Sequence, residues 1–141
     1  MVHLLKMKNK DLFYIKIAET IASASYCQRK KVGAIIVKND NIIAIGYNGT
    51  ISGFDNICEL DNGQTRPDVL HAESNAIAKC AKSENNSNGS TMYVTLSPCY
   101  ECSKIIIQSG IIKVVYLEQY RDLSGLDLLN KAGITVEMLQ K

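Results

Sequence analysis

The chain is 141 residues long and carries a net charge of +2, from 16 basic and 14 acidic residues. That length supports one substantial core, and nothing in so even a charge balance calls for a nucleic-acid or membrane partner. No segment approaches the roughly 18 continuous apolar residues of a membrane-spanning helix, and the first ten residues, with Lys6, Lys8 and Lys10, lack the apolar run of a secretion signal, so the expected location is cytoplasmic.

Asn9 is placed to cap a helix in which Phe13, Tyr14, Ile17, Ala18, Ile21 and Ala22 recur at helical spacing, predicting a helix to about Tyr26. After the basic run Arg29-Lys30-Lys31, two β-branched stretches, Val32 to Val37 and Ile42 to Tyr47, flank Asn39-Asp40-Asn41 and read as an antiparallel hairpin. Stretches so continuously apolar predict strands buried on both faces. Residues 49–70 show no periodicity and hold Gly53, Gly63 and Pro67. Unstructured loops beyond about 15 residues are usually functional or disordered, and this one leads directly into His71-Ala72-Glu73.

A helix from about His71 to Lys82 follows, with Ala72, Ala76, Ile77 and Cys80 as its apolar stripe. Thr91 to Leu96 reads as a strand, Ser97-Pro98 as the opening of a helix to about Ser109, and Ile112 to Leu117 as another strand. Ser124 with Asp127 has the form of a capping box for a short helix over 126–132, and Ile134 to Met138 closes the series. The order of elements predicts a single α/β domain spanning 1–141, a three-layer α/β/α fold on a five-stranded mixed sheet. Sites in such sheets lie beyond the carboxyl ends of the parallel strands.

The chemistry is concentrated in His71-Ala72-Glu73 and Pro98-Cys99-Tyr100-Glu101-Cys102. One imidazole and two thiols form a nitrogen–sulfur donor set for zinc, and three protein ligands leave a fourth position for water, which the metal acidifies. Cys99 and Cys102 fall three apart in the predicted first helical turn, where the helix dipole favours thiolates. Glu73 is then the proton carrier. Five cysteines, at 27, 58, 80, 99 and 102, are an odd number that suits a reduced compartment better than a disulfide framework. Cys80, on an apolar stripe, reads as core.

With these motifs on the page, the chain resembles the cytidine deaminase superfamily, and within it most closely the deoxycytidylate (dCMP) deaminases. The resemblance extends from about Asp11 onward through Cys27 to Ala34, Gly46-Tyr47-Asn48-Gly49, Ser52-Gly53-Phe54, His71 to Ala76, and Met92 to Cys99. It implies hydrolysis of dCMP to dUMP and ammonia, with Zn2+ on His71, Cys99 and Cys102 and with Glu73 carrying protons to N3 and to the leaving amine; for the zinc nucleobase deaminases this motif-to-reaction step is a known correspondence. By similarity Asn48, Tyr120, Ala72 and Ser97 contact substrate, and Ser25 and Arg29 are the nearest match to a phosphate anchor. Family members of this kind are commonly hexamers activated by dCTP and inhibited by dTTP. The effector site is expected around Gly46, Tyr47, Gly49, Gly53, Phe54, Asn75 and Lys79, with Mg2+ accompanying the triphosphate. Ile51 departs from the proline that relatives often have in that loop.

Some relatives hold a structural zinc through cysteines matching Cys27 and Cys58. Residues 49–70 contain no histidine to complete such a site, so the expectation here is two buried, metal-free cysteines. Two other readings share the principal motif: a nucleoside or tRNA-adenosine deaminase, against which the near-neutral charge counts, and a non-catalytic binding protein stapled by zinc.

Overall fold

The computed structural model describes residues 9–140; Lys6 and Lys8 lie outside them. Among these described residues nine elements follow in order: α1 (Lys10–Ala22), β1 (Gly33–Lys38), β2 (Asn41–Tyr47), α2 (Ala72–Lys82), β3 (Thr91–Leu96), α3 (Tyr100–Gln108), β4 (Lys113–Glu118), α4 (Ser124–Lys131) and β5 (Thr135–Met138). The five strands form one sheet in the order β2-β1-β3-β4-β5. β1 runs antiparallel to both its neighbours, whereas β3, β4 and β5 are parallel. This is the three-layer α/β/α fold with a mixed sheet that the sequence predicts.

Strand alternation divides the core. Ala34, Ile36, Met92, Val94, Val114 and Tyr116 pack on one face with residues of α2, α3 and α4. Ile35, Val37, Tyr93 and Val115 pack on the other against Tyr14 and Ile15 of α1. A single helix cannot roof five strands, and that accounts for the first correction. β2 is not buried on both faces: it is an edge strand on which Ile42 and Ile45 remain 41% and 36% exposed.

Two element ends also differ from expectation. α1 stops at Ala22 rather than Tyr26, and the chain turns there because Ser25 bonds to its own neighbourhood: its hydroxyl donates to the Asn48 carbonyl at 2.7 Å and accepts from Cys27 N at 3.2 Å. Ser124 does not cap α4. Asp122 Oδ1 accepts from Ser124 N at 2.9 Å instead, so Ser124 is already the first helical residue. The Asn9 cap is as expected, with its side chain accepting from Leu12 N at 3.3 Å.

Gly46 sets the position of α2. A Cβ there would stand 2.5 Å from both Ala72 O and Ala76 N. The first turn of α2 therefore lies directly on β2, and His71 and Glu73 are held at the sheet end where β3 finishes.

Candidate metal centre and active-site cavity

His71 is the residue before α2, in extended conformation, and Glu73 lies in the first turn. Cys99 occupies the equivalent place before α3, and Cys102 lies in that helix's first turn. Here the expected start of α3 is corrected by two residues. Ser97 is not the cap; the Cys99 sulfur is, accepting from Cys102 N at 3.4 Å. The Ser97 hydroxyl accepts from Tyr120 N at 2.7 Å, which ties the segment following β4 to the cysteine loop.

The two helix starts bring His71 Nδ1 to 3.5 Å from Cys99 Sγ and 3.4 Å from Cys102 Sγ. All three donor atoms lie within 4.8 Å of one another. Zinc–sulfur bonds of about 2.3 Å and zinc–nitrogen bonds of about 2.0–2.1 Å at tetrahedral angles separate such donors by roughly 3.5 Å. The trio therefore has the spacing of one zinc ion's ligands, with a fourth position left for water.

The three side chains also perturb one another. Cys99 is lowered to about 4, chiefly by its hydrogen bond with Cys102, while Cys102 is raised by the same bond and by burial. The two close sulfurs thus perturb one another, and a bound cation would favour both as thiolates. The hydrogen bond to Cys99 raises His71. Glu73 is 4% exposed, and loss of hydration pushes its carboxyl up to about 7.

His71 and Cys99 open into a cavity of about 450 Å³, within the range of small-ligand sites. Glu73 and Ala72 line it, with Val32 and Leu96 as apolar wall and Asn48 and Tyr120 nearer its exterior. The Asn48 amide is engaged with backbone, accepting from Val32 N at 2.8 Å and donating to Lys30 O at 2.7 Å. Ser97 and Arg29 also line the cavity; Ser25 does not, since its hydroxyl is turned to Asn48 and Cys27. Sequence reasoning missed Lys30, Gln119 and Arg121, which line the same space. The rule that sites form beyond the carboxyl ends of parallel strands would have found the latter two, which follow β4 directly.

The residues expected to hold an effector do not form one group. Gly46 is buried under α2, Tyr47 carries Lys79 over its ring at 5.5 Å, and the Asn75 amide donates to Tyr47 O at 3.0 Å. Gly49 pairs with Leu70 across the base of the long loop. Gly53 and Phe54 line a separate cavity of about 330 Å³ with Thr50, Arg66 and Asp68.

Cys27 and Cys58 correct the reduced-thiol expectation. They are buried and joined in a disulfide, with Cα atoms 5.2 Å apart across a sequence separation of 31. Glu59, beside Cys58, spends its carboxylate on the backbone, accepting from Gln28 N at 3.0 Å and Arg29 N at 3.4 Å. The bond and this cap hold the 49–70 loop against the cavity wall. Cys80 is buried in the core, as expected.

Gly125 of α4 presses on the cysteine loop. A Cβ there would meet Pro98 O and stand 2.7 Å from Cys99 C and 2.8 Å from Cys99 O. Gly125→Ala is expected to lower stability by about 1–3 kcal/mol through this overpacking. It should also release zinc at a lower chelator concentration, with metal affinity down about tenfold as for other supporting-shell changes. Thermal melting and a chelator titration read the two effects.

Comparison with known proteins agrees with this geometry. The family described as the cytidine and deoxycytidylate deaminase zinc-binding region matches residues 8–118. The deoxycytidylate deaminase of Enterobacteria phage T4 is 36% identical over 165 residues, covering 86% of each chain. That of Homo sapiens is 36% identical over 136 residues, covering 87% of this chain and 75% of the human one. A crystal structure of dCMP deaminase from the cyanophage S-TIM5, in complex with dCMP and dUMP, superposes with a TM-score of 0.92 at 49% identity, covering 95% of this chain and 100% of that one. The chain belongs to the cytidine and deoxycytidylate deaminase family.

Proposed function

We propose that this protein is a zinc-dependent dCMP deaminase, a single catalytic domain that hydrolyses dCMP to dUMP and ammonia and so supplies dUMP for thymidylate synthesis. The observation that carries the reading is the ligand trio clustered at the cavity that the buried Glu73 lines, in a chain 49% identical to a dCMP deaminase whose structure is described with dCMP and dUMP.

His71, Cys99 and Cys102 would hold the zinc, which when bound would supply the polarisation that makes a water nucleophilic near neutral pH. Glu73 accepts the first proton of the water attacking C4 and places it on N3, then takes the second from the resulting C4 hydroxyl as the carbonyl forms and delivers it to the departing amine. Water adds, ammonia leaves, and the carboxylate is regenerated. Ala72, Val32 and Leu96 offer the base an apolar wall that limits competing water. Asn48, braced by two backbone bonds, presents a fixed edge to the sugar, Tyr120 and Ser97 border the base and ribose, and Arg29 contributes to the phosphate end. Ser25 serves this site by fixing Asn48.

The same reading includes regulation. The enzyme is a cytoplasmic homo-oligomer, a hexamer by resemblance, activated by dCTP and inhibited by dTTP with Mg2+ on the triphosphate. The 330 Å³ cavity beside Gly53 and Phe54 is the supporting feature. Side-by-side assays of dCMP, deoxycytidine and tRNA test the substrate: dCMP is expected to be deaminated with the highest kcat/KM, dCTP to raise the rate at low dCMP and dTTP to lower it. Turnover of deoxycytidine with no preference for dCMP would reject the nucleotide reading.

A further inference from the structure

One wall of the cavity is carried by no helix or strand. Glu59, Thr65 and Val69 come from the long loop, and between residues 50 and 70 Cys58 is the one buried residue. Ile51, Phe54, Ile57 and Leu60, which could anchor such a loop by burial, are exposed. The loop bonds mainly to itself: Leu60 N donates to Gln64 O at 2.7 Å, Arg66 N donates to Cys58 O at 2.7 Å, and Glu59 pairs with Thr65. Among the described residues, hydrogen bonds from 50–68 to other segments come only from Glu59, to the amides of Gln28 and Arg29. Those amides follow Cys27 directly, so the carboxylate reaches them because the Cys27–Cys58 bond sets Cys58 alongside. They are exposed, where water competes for the same groups. The disulfide is therefore the one tie that burial protects.

The bond also touches the cavity from one side only. Cys27 lines the space and Cys58 does not, so a small thiol entering the opening meets the Cys27 sulfur first. Cys27 Sγ stands 3.7 Å from Asn48 O, the carbonyl that also accepts from the Ser25 hydroxyl. The remaining cysteines, Cys80, Cys99 and Cys102, are free. A single disulfide in a chain otherwise suited to a reduced compartment is of the kind that serves as a transient, redox-sensing bond there. Movement of the loop would stop at its base, where Gly49 and Leu70 exchange two backbone hydrogen bonds of 3.0 and 2.7 Å. His71 and Glu73 on α2, and Cys99 and Cys102 at α3, lie beyond that point.

We propose that Cys27–Cys58 is a redox-modification site that sets the affinity of the cavity: the bond fastens the loop wall, and its reduction by a dithiol releases the wall and weakens nucleotide binding. A thiolate of the dithiol attacks Cys27 Sγ, the Cys27–Cys58 bond breaks, and Cys58 leaves as a thiolate that takes up a proton. The second thiolate then attacks its partner's sulfur in the mixed disulfide and frees Cys27, which is protonated in turn. Two cysteine thiols form, and the dithiol is oxidised to its own disulfide. The effect is reciprocal, since a nucleotide that prefers the fastened wall must also favour the bond. The inference rests on the deaminase reading above and adds regulation of that same cavity.

The test uses zinc-loaded wild type and Cys58→Ser, each before and after dithiothreitol, with alkylation mapping of the cysteines, metal analysis, calorimetric titration with dUMP and a dCMP assay. Reduction of the wild type is expected to weaken dUMP binding and raise KM for dCMP by about fivefold to a hundredfold, the usual span of coupling between two sites. kcat should change little, because the metal ligands and Glu73 are outside the loop. Cys58→Ser should match the reduced wild type and not respond to dithiothreitol. Saturating dUMP should slow reduction of the wild type, a readout that needs no variant to fold. Equal dUMP affinity in both redox forms overturns the proposal even if dCMP is deaminated. So do an equal response of Cys58→Ser, which would place the effect at the zinc, and a second zinc bound on reduction. Affinity that follows the bond in a protein that leaves dCMP intact upholds the redox site and rejects the deaminase reading.

Discussion

Glu73→Gln is expected to retain one zinc per chain and to lose about 10²- to 10⁴-fold in dCMP turnover, the usual contribution of a general acid–base group. The two halves of this expectation have separate causes. Metal retention follows because the donor atoms belong to His71, Cys99 and Cys102, and Glu73 is not among them. Loss of rate follows because an amide has nearly the carboxylate's shape but cannot take a proton from water or return one to the amine. Glu73 is almost fully buried on α2, whose position is set by Gly46, so the isosteric change leaves packing intact. Metal analysis and an ammonia assay on the same preparation read both halves. Loss of zinc would show that the carboxylate is a ligand, and full activity would leave the proton relay without its carrier.

Removing a ligand should do more. Cys102→Ser takes away a buried sulfur that stands 3.4 Å from His71 Nδ1 and replaces a soft thiolate with a hydroxyl that zinc binds poorly. The variant is expected to contain less than a tenth of the wild-type zinc and to show no measurable deamination. It should also melt at lower temperature, since binding at a thousandfold excess over Kd contributes about 4 kcal/mol to the folded state. Chelation of the wild type should reproduce both effects, and zinc should reverse them only there. The pH dependence has a definite sign. Both sulfurs must be deprotonated to bind, so falling pH returns protons to the cysteines and the metal is released on the acid side. A Cys102→Ser protein with full zinc occupancy would contradict the assigned ligand set.

How far the sequence was readable depended on whether a feature was local. The strands and helices follow from periodicity over a few residues, and their order alone implied the mixed sheet that β1, β3, β4 and β5 make. The clustering of His71, Cys99 and Cys102 was legible for the same reason, because each half sits at one helix start. Features decided by distant partners were not. Ser97 looked like a cap until Tyr120, 23 residues on, supplied the amide that its hydroxyl accepts from; Cys99 then capped the helix itself. β2 reads as continuously apolar from Ile42 to Ile45, yet its exposure is set by how much of the sheet α1 can cover. Cys27 and Cys58 meet because a loop without periodicity folds back across 31 residues, and no local pattern records that return. Arg121 gave no motif at all; strand order places it at the rim.

The central claim, that a zinc-loaded chain converts dCMP to dUMP, is tested most directly by stripping the metal and measuring dUMP formation as zinc is returned in fractional equivalents. Deamination is expected to be absent at the start, to rise in proportion to added zinc, and to level off at one zinc per chain. dCMP left unchanged at every zinc ratio by folded protein, or dUMP formed at full rate before any zinc is added, would contradict it.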